Sequence, residues 1–318
     1  MRVTLAIFVF DGVQILDVTG PAAVFAAAND CCASPYYDVR IVSANGGCVG
    51  SSSAVQVASQ PLAGVAPGSI DILLVAGGDE AALQRLAQDW AVARWVTQAG
   101  RAASRIGSIC TGVFLLAPLG VVAGRRVATH WSACARLADS YPDLEVDADS
   151  LYVEDGRVWT SAGVTTGIDM CLAMVERDLG KAVAQRIAER LVLYARRPGY
   201  QSQFSPVLQA QARAGTPFAA LVEWMGAHLH EPLDVPQLAA HMAMSERSFY
   251  RKFSAEMGQT PARFVEVLRL DRVRQLLVTG KSLKEIAAQT GFSGTAPLSK
   301  AFERRYGVTP RLFRQTRA

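Results

Sequence analysis

The chain has 318 residues, of which half are hydrophobic and 19% are charged. This length exceeds one average domain and suits two, and the composition excludes wholesale disorder. No apolar run reaches the roughly 20 residues of a membrane helix. The apolar residues 3–10 stop at Asp11 and Gly12 without a cleavage site for a signal peptide, so they predict a buried strand. The six cysteines lack zinc-site spacing, which predicts a reduced, cytoplasmic protein without a metal.

The charge is divided unequally along the chain. Residues 216–318 carry 15 Lys and Arg against 9 Asp and Glu, a net charge of +6, whereas residues 1–215 carry 17 against 19, a net charge of −2. A small basic part attached to a larger acidic part is typical of a nucleic-acid-binding module joined to a second domain.

Buried strands alternate with helical segments over the first two-thirds of the chain. Strands are predicted at residues 3–10, 37–42, 70–76, 105–109 and 157–161. Helices are predicted at residues 16–28, 80–99, 113–119 and 167–179. This alternation predicts an α/β domain in which helices cover both faces of a mostly parallel sheet. Ligands of such domains bind at the carboxyl ends of the strands.

The last third of the chain contains only helical patterns and an internal repeat. The polar, proline-containing residues 196–215 are predicted to link a first domain, 1–195, to an all-α second domain, 216–318. Three pairs of segments align in order: 235–240 with 283–288, 249–253 with 298–302, and 258–261 with 307–310. The second domain therefore consists of two copies of one supersecondary unit, which the helix at 261–278 is expected to hold at a fixed spacing.

Each copy of the repeat has the pattern of a helix-turn-helix unit, whose second helix enters the major groove of DNA. Phe249 and Phe253 are predicted to be buried in the first copy, with Ser245 as the N-cap of that helix. The outward side chains, predicted to contact DNA, are Arg247, Ser248, Tyr250 and Arg251 in the first copy and Thr295, Ser299 and Lys300 in the second. Pro297 predicts that the second helix of the second copy begins late, which weakens its reading of bases.

These motifs resemble the AraC/XylS family of transcription factors over residues 219–315. The matching positions are Leu238-Ala239, Phe249-x-Arg251-x-Phe253, Gly258-x-x-Pro261, Arg269-Leu270, Ile286-Ala287, Gly291-Phe292 and Gly307-x-Thr309-Pro310. The resemblance implies sequence-specific binding of double-stranded DNA, with Arg251 and Lys300 at positions where the family's basic residues contact bases or phosphates. It further implies RNA polymerase as a partner. A homodimer is expected, because linked modules gain affinity.

A candidate site in the first domain centres on Cys110, which stands between a predicted strand and a predicted helix. A nucleophile on such a sharp turn projects into the crevice above the sheet, and the helix N-terminus is expected to lower its pKa. Gly77 and Gly78 end a neighbouring strand and could offer backbone N–H groups to an oxyanion or a ligand carboxylate. The other residues expected at this crevice are Asp17, Thr111, His130, Gly163 and Thr166.

These stretches resemble the ThiJ/PfpI superfamily over roughly residues 1–190, which implies a flavodoxin-like, class I glutamine amidotransferase-like fold. Such a domain followed by an AraC-type domain is the arrangement of the GlxA-like transcriptional regulators. That resemblance implies that the first domain senses a small metabolite, often derived from an amino acid or an amine. The absence of a nucleotide-binding glycine loop predicts that no cofactor is bound.

Two other functions remain open from the sequence. In the first, the domain is an enzyme of the isonitrile-hydratase or cysteine-hydrolase type, with Cys110, Asp17 and His130 as catalytic residues. In the second, oxidation of Cys110 is itself the signal. The basic repeat is expected for a metabolite sensor or a redox sensor, and it is superfluous for an enzyme.

Overall fold

The structure, a computed structural model, describes residues 2–193, 197, 199, 203, 217–257, 259–306 and 308–315. The chain divides into two compact units, Met1–Gln203 and Phe204–Ala318, and each contains its own hydrophobic cluster. The predicted linker, residues 196–215, spans this division. Its three described residues, Arg197, Gly199 and Gln203, form hydrogen bonds to the first unit.

The first unit is built on an eight-stranded sheet. The strands of the unit are β1 (Val3–Phe8), β2 (Tyr37–Ser43), β3 (Asn45–Gly50), β4 (Gln56–Pro61), β5 (Ile72–Val75), β6 (Arg105–Ile109), β7 (Arg126–Val127), β8 (Glu145–Val146), β9 (Tyr152–Asp155) and β10 (Val158–Ser161). The sheet order is β3-β4-β2-β1-β5-β6-β10-β9, while β7 and β8 pair separately. Within the eight-stranded sheet, β3 with β4 and β9 with β10 are antiparallel and the other pairs are parallel. The prediction of a mostly parallel sheet is confirmed.

The central strands of this sheet are apolar because helices flank it, and β5 is buried along its whole length. The helices of the unit are α1 (Ile15–Asp30), α2 (Glu80–Gln88), α3 (Trp90–Ala102), α4 (Val113–Leu116), α5 (Cys134–Ser140), α6 (Thr166–Leu179) and α7 (Lys181–Arg190). Helix α1 packs against α6 and α7, and α2 packs against α3 and α4. The fold thereby places the loops that follow β1, β5, β6 and β10 at one edge of the sheet.

The single helix predicted at residues 80–99 is wrong, because two helices meet at Asp89. The extended backbone of Asp89 ends α2, and its carboxylate accepts hydrogen bonds from the backbone N–H groups of Ala91 and Val92. An aspartate in this position satisfies amide groups that a new helix leaves without partners. The hydrophobic spacing of the two short helices is similar enough that the sequence predicts a single helix.

The second unit is helical throughout its described residues. Its helices are α8 (Pro217–Ala227), α9 (Val235–His241), α10 (Glu246–Met257), α11 (Pro261–Leu277), α12 (Leu283–Gln289), α13 (Thr295–Tyr306) and α14 (Pro310–Gln315). The repeated Thr-Pro pairs begin α11 and α14. Thr260 and Thr309 accept hydrogen bonds from backbone N–H groups in the first turns of these helices, and the prolines stand where no N–H donor is needed. Among the described residues, no helix is both long enough and apolar enough to cross a membrane.

The two helix-turn-helix copies match in their turns as well as in their helices. Ala243 in the first turn and Gly291 in the second both have positive φ angles, of 50° and 68°. Phe249, Phe253, Leu298 and Phe302 are fully buried, as predicted. These shared features show that the repeat in the sequence is a repeat in the structure.

The expectation that Pro297 delays the start of α13 is wrong. Helix α13 begins at Thr295, and α10 begins at the corresponding Glu246; both helices have 12 residues. Pro297 is the third residue of α13, within the first turn, where a backbone N–H has no partner inside the helix. The second copy therefore presents a helix of the same length and register as the first.

Limited proteolysis of the full chain should cut first between Gln203 and Pro217. The segment joins two units with separate hydrophobic clusters, whereas the described residues Arg197, Gly199 and Gln203 are hydrogen-bonded to the first unit. Mass spectrometry of the early fragments identifies the cut. Early cleavage within residues 70–180, with the joining segment intact, would contradict the division into two units.

Candidate ligand crevice and nucleic-acid interface

Cys110 stands on a sharp turn directly after β6, as its sequence context predicts. Its φ angle is +57°, which is uncommon for a residue other than glycine, and its surface is 8% exposed. The space beside it requires glycine on two sides. A Cβ on Gly77 would lie 2.6 Å from the Cβ of Cys110, and a Cβ on Gly163 would lie 2.5 Å from its Cα. Two glycines from neighbouring strand ends thus enclose the cysteine.

Asp17, on the first turn of α1, lies under this turn and is fully buried. Its carboxylate accepts hydrogen bonds from the backbone N–H groups of Gly77, at 3.1 Å, and Val164, at 2.7 Å. It also lies next to the side chain of Cys110, since a Cβ on Gly77 would be 2.8 Å from Oδ2 of Asp17 and 2.6 Å from the Cβ of Cys110. Burial raises the pKa of Asp17 to about 6, and the hydrogen bonds offset this increase only in part. The carboxylate is therefore mostly ionised at neutral pH.

The expectation that the pKa of Cys110 is lowered is wrong. Burial, followed by the charge of Asp17, raises the pKa of this thiol to about 12, although hydrogen bonds with Thr111 act in the opposite direction. The expected helix is also weak, because a turn of 3-10 helix precedes α4 and α4 has only four residues. Cys110 is consequently a neutral thiol beside the carboxylate of Asp17.

The backbone N–H groups expected to bind an oxyanion already have partners. Gly77 donates to Asp17, and Gly78 donates to the Thr111 hydroxyl at 2.9 Å. That hydroxyl donates in turn to the carbonyl of Gly78, at 3.0 Å. The two glycines therefore fix the acid and the loop after Cys110, and they can bind a ligand through these groups only if these hydrogen bonds break.

The turn before α6, which contains the predicted crevice residues Gly163 and Thr166, is also closed by internal hydrogen bonds. The backbone N–H and the hydroxyl of Thr166 both donate to the carbonyl of Gly163, each at 3.0 Å. Gly163 has a φ angle of +87°, so this close turn favours glycine. The turn presents the N–H of Val164 to Asp17, a contact that the sequence analysis did not anticipate.

His130 follows a residue that holds the cysteine loop. The hydroxyl of Thr129 donates to the carbonyl of Cys110 at 2.8 Å, a role that the sequence did not reveal. The half-buried ring of His130 shares a hydrogen bond of 2.8 Å with the Ser132 hydroxyl, and burial lowers its pKa. No hydrogen bond joins His130 to Cys110 within the described part of the chain. Its assignment to the ligand site stays a prediction.

Two cavities open elsewhere at the carboxyl edge of the sheet. The larger, about 450 Å³, includes Phe10, Asp11, Asn45 and Arg85 in its lining, and the second, about 410 Å³, also adjoins Asn45. Neither cavity is lined by the predicted site residues, and no motif in the sequence indicated either of them. Within the described ranges, no group of three His, Cys, Asp or Glu side chains could hold a metal ion.

The predicted DNA-contacting residues lie along the surfaces of α10 and α13. Arg247, Arg251, Thr295 and Lys300 are exposed, Tyr250 is 45% exposed, and Ser248 and Ser299 are half-buried. Because α10 and α13 share length and register, Arg251 and Lys300 occupy equivalent positions. This surface suits the contact of basic and polar side chains with a DNA groove, and the role of each residue stays a prediction.

A half-buried arginine connects the two helix-turn-helix copies. Arg269, on α11, donates to the backbone carbonyls of Leu229, Glu231 and Pro232, which precede the first copy. A Cβ on Gly291, in the turn of the second copy, would lie 2.6 Å from the Arg269 guanidinium. Burial lowers the pKa of Arg269. We name this arrangement the Arg269 bracket; it fixes the turn of one copy against the segment before the other.

Comparison with family profiles identifies both units. The profile of the DJ-1/PfpI family matches residues 3–177, and that of the helix-turn-helix domain matches residues 238–316. The chain belongs to the DJ-1/PfpI family. It combines this family's domain with an AraC-type DNA-binding domain, which is the arrangement that the sequence motifs predicted.

Curated relatives share this two-domain arrangement over most of the chain. The HTH-type transcriptional regulator CdhR of Pseudomonas aeruginosa is 32% identical over 86% of this chain and 80% of its own length. The HTH-type transcriptional regulator GlxA of Rhizobium meliloti is 30% identical over 89% of this chain and 87% of its own length. This DJ-1/PfpI protein is accordingly a DNA-binding transcriptional regulator with a sensing domain.

Two further matches cover about two-thirds of the chain. Isonitrile hydratase of Pseudomonas putida is 30% identical over 64% of this chain and 83% of its own length. A ThiJ/PfpI family protein from Pseudomonas syringae has a similar fold, with a TM-score of 0.55 at 22% identity; the match covers 71% of this chain and 87% of that protein. The α/β fold of the family is therefore compatible with an enzyme as well as with a regulator.

Proposed function

We propose that the first unit binds a small metabolite at the crevice around Cys110, and that binding changes how the second unit engages duplex DNA. The observation that carries this proposal is the close packing of Cys110 and the buried carboxylate of Asp17 against Gly77, where a Cβ would lie 2.6 Å from the Cβ of Cys110 and 2.8 Å from Oδ2 of Asp17. A cysteine nucleophile reacts as the thiolate, so a thiol with a pKa of about 12 suits a binding surface better than a catalytic centre. Rapid oxidation also requires the thiolate, which disfavours the redox sensor.

The charge of the crevice favours a metabolite that carries an amine or a quaternary ammonium group. The charge of Asp17 acts on Cys110, and its field in a site of low dielectric attracts a cation. Direct pairing is restricted, because both oxygens of Asp17 already accept hydrogen bonds from Gly77 and Val164. The ligand therefore meets this charge through Cys110, or it displaces the turn that contains Val164.

The remaining partners follow from the same proposal. A regulator of this kind acts on promoter DNA as a homodimer in the cytoplasm and contacts RNA polymerase there. Two linked copies of the basic unit bind a paired operator more tightly than one copy, because the second contact becomes intramolecular.

A screen for the effector tests the proposal directly. Amino-acid and quaternary-amine metabolites are added to the full chain, and a ligand of the folded state must raise the melting temperature. The same compound must then change the affinity of the chain for DNA selected from a random duplex pool. A compound that raises the melting temperature through the first unit and leaves DNA affinity unchanged would count against a sensor.

The second unit should bind DNA without the first. Residues 216–318 are expected to bind duplex DNA more weakly than the full chain does, and their affinity should fall as salt rises, because binding releases counterions. Arg251→Ala should cost about 1–3 kcal/mol at a specific site if the guanidinium contacts a base edge. Electrophoretic mobility shifts at several salt concentrations measure both effects.

The equivalent position of the second copy should behave similarly. Because Pro297 does not delay α13, we expect Lys300→Ala to weaken binding about as much as Arg251→Ala does. Arg272→Ala, on α11 outside both recognition helices, is the matched control and should lose only general affinity. A fragment that shows no salt-dependent binding would refute the assignment of the repeat.

An enzyme is the second candidate, favoured by the match to isonitrile hydratase and by the contact of an acid with a cysteine. Cys110→Ala discriminates the two. A catalytic nucleophile is indispensable, so this variant of an enzyme would lose all turnover of isonitriles or small amides. For a sensor we expect Cys110→Ala to change ligand affinity modestly and to leave DNA binding without ligand intact.

The control for this comparison is Cys48→Ala, which changes an exposed cysteine away from the crevice. Turnover by the unmodified chain that survives in Cys48→Ala and vanishes in Cys110→Ala would overturn the sensor proposal. Asp17→Asn should weaken the binding of a cationic ligand more than Cys110→Ala does, because it removes the negative charge.

A further inference from the structure

The end of the first unit is fastened beside the Cys110 crevice. We call Arg197, Gly199 and Gln203, the described residues of this segment, the strap. The Arg197 guanidinium donates two hydrogen bonds to one carboxylate oxygen of Asp169, at 2.9 and 2.7 Å, and its backbone N–H donates to the other, at 3.0 Å. The side chain of Asp169 is only 4% exposed. Such charge-assisted contacts with a buried carboxylate are strong.

A second group of contacts holds the far end of the strap. The amide of Gln203 donates to the carbonyls of Thr129, at 2.9 Å, and Ser150, at 3.0 Å. Its backbone N–H donates to the carbonyl of Asp149 at 2.8 Å. Between the two ends, the carbonyl of Gly199 accepts hydrogen bonds from two backbone N–H groups that lead into β9. Each of the three described residues of the strap is thus hydrogen-bonded to the first unit.

Both ends of the strap are connected to the turn that contains Cys110. Arg197 also donates to the Thr165 hydroxyl, at 2.8 Å, and the preceding residue, Val164, donates to Asp17. Gln203 binds the carbonyl of Thr129, whose hydroxyl donates to the carbonyl of Cys110. Two separate chains of hydrogen bonds therefore run from the strap to the two sides of the crevice.

The docked strap also retains an unsatisfied group. The side-chain oxygen of Gln203 is buried and accepts no hydrogen bond from the described residues. A buried acceptor without a partner lowers the stability of the state that contains it. This cost favours release of the strap once one of its hydrogen-bonded anchors is disturbed.

We propose that the strap reports the occupancy of the Cys110 crevice to the DNA-binding unit. This inference rests on the proposed function. A ligand that displaces the turn at Val164 or the loop at Thr129 weakens one anchor and favours release of the strap. Residue 203 ends the first unit, so release changes the point from which the DNA-binding unit is tethered. A ligand produces this shift only to the extent that it prefers the released state.

The test uses a covalent probe, because the effector is unidentified. In the full chain with Cys31, Cys32 and Cys48 changed to serine and Cys134 and Cys171 changed to alanine, methyl methanethiosulfonate converts the Cys110 thiol to a methylthio disulfide and releases methanesulfinate. Because the segment between residues 203 and 217 is expected to be cut even while the strap is in place, limited proteolysis then measures cleavage between residues 197 and 203. We expect the modification to accelerate this cleavage by at least about fivefold, the lower end of typical coupling between sites.

Strap variants separate signalling from simple stabilisation. In Arg197→Gln, cleavage should already be fast, and modification of Cys110 should add little. Arg40→Gln is the matched control, since Arg40 also pairs with an aspartate and is 33% exposed, against 34% for Arg197. Cleavage of Arg40→Gln should accelerate on modification of Cys110 as much as cleavage of the chain without a substitution at Arg197 or Arg40. DNA affinity, measured on duplexes selected by the full chain, should change on modification in Arg40→Gln and not in Arg197→Gln.

A second probe covers the case in which the methylthio group unfolds the domain. Thr129→Val removes the hydroxyl that donates to Cys110 at nearly constant volume, and it should also accelerate cleavage. Unchanged cleavage after complete modification and in Thr129→Val would overturn the strap proposal, as would an equal response in Arg197→Gln. No metabolite is used in the strap test, so its failure is distinct from failure of the proposed function. The proposed function fails if metabolites bind and leave DNA affinity unaffected.

Discussion

Replacement of Gly163 by alanine should destabilise the first unit by more than about 3 kcal/mol, in the range that follows overpacking of a core combined with backbone strain. The new methyl group would lie 2.5 Å from the Cα of Cys110, whose backbone cannot move without breaking the turn after β6. The φ angle of +87° adds a cost of its own. Urea denaturation, followed by circular dichroism, measures the change in the free energy of unfolding.

Gly180→Ala separates the two causes. Gly180 has a φ angle of +86°, a ψ angle of 163° and no atom within 4 Å of the position of a Cβ, so alanine there incurs only the cost of a backbone conformation that favours glycine, about 1–3 kcal/mol. The difference between the two variants is the steric cost at the cysteine turn. Equal effects of both substitutions would contradict the close packing described around Cys110.

The stability of the first unit should fall as pH rises from about 4.5 to about 7. The pKa of Asp17 is about 6 in the folded chain, above its ordinary value of 3.8, so the folded state binds the proton more tightly than the unfolded state does. The stabilisation that results is complete below the unfolded pKa and is lost as pH rises through the folded one. From these two pKa values, linkage gives a loss of about 2 kcal/mol over this interval.

Other groups titrate over the same interval, so the effect is measured as a difference between variants. Asp17→Asn should lack this component of the pH dependence, whereas Asp30→Asn, at an exposed surface pair, should retain it. Urea denaturation at several pH values gives the free energy of unfolding of each variant. If the unmodified chain and Asp17→Asn lose the same stability between pH 4.5 and 7, Asp17 is not the buried acid described above.

The five strands found from the sequence lie mainly in the interior of the sheet. Residues such as 72–75 form continuous apolar runs, which are typical of strands that helices cover on both faces. The hairpin of β3 and β4 could not be found in the same way, because its strands alternate poorly, contain several glycines, and lie at an edge where most side chains are exposed. A pattern of burial predicts only the elements that are buried.

The geometry of the crevice was partly predictable for a related reason. Gly77 and Gly163 stand out in the sequence at strand ends, and only glycine fits beside Cys110. The contacts of Val164 and Thr129 carry no such signal: one uses a backbone N–H that every residue except proline has, and the other uses a hydroxyl on a separate loop. Burial of Asp17 and Cys110 is a property of the packed fold, and for that reason their pKa values could not be read from local sequence.

The Arg269 bracket has a consequence for the promoter. One extra base pair between the two segments that a single chain reads would turn one segment by about 34–36° about the DNA axis and move it by about 3.4 Å. Helices α10 and α13 cannot follow, because α11 and the guanidinium of Arg269 hold their supports together. Within the DNA that one chain covers, operators should therefore differ from one another by base substitutions and not by insertions or deletions.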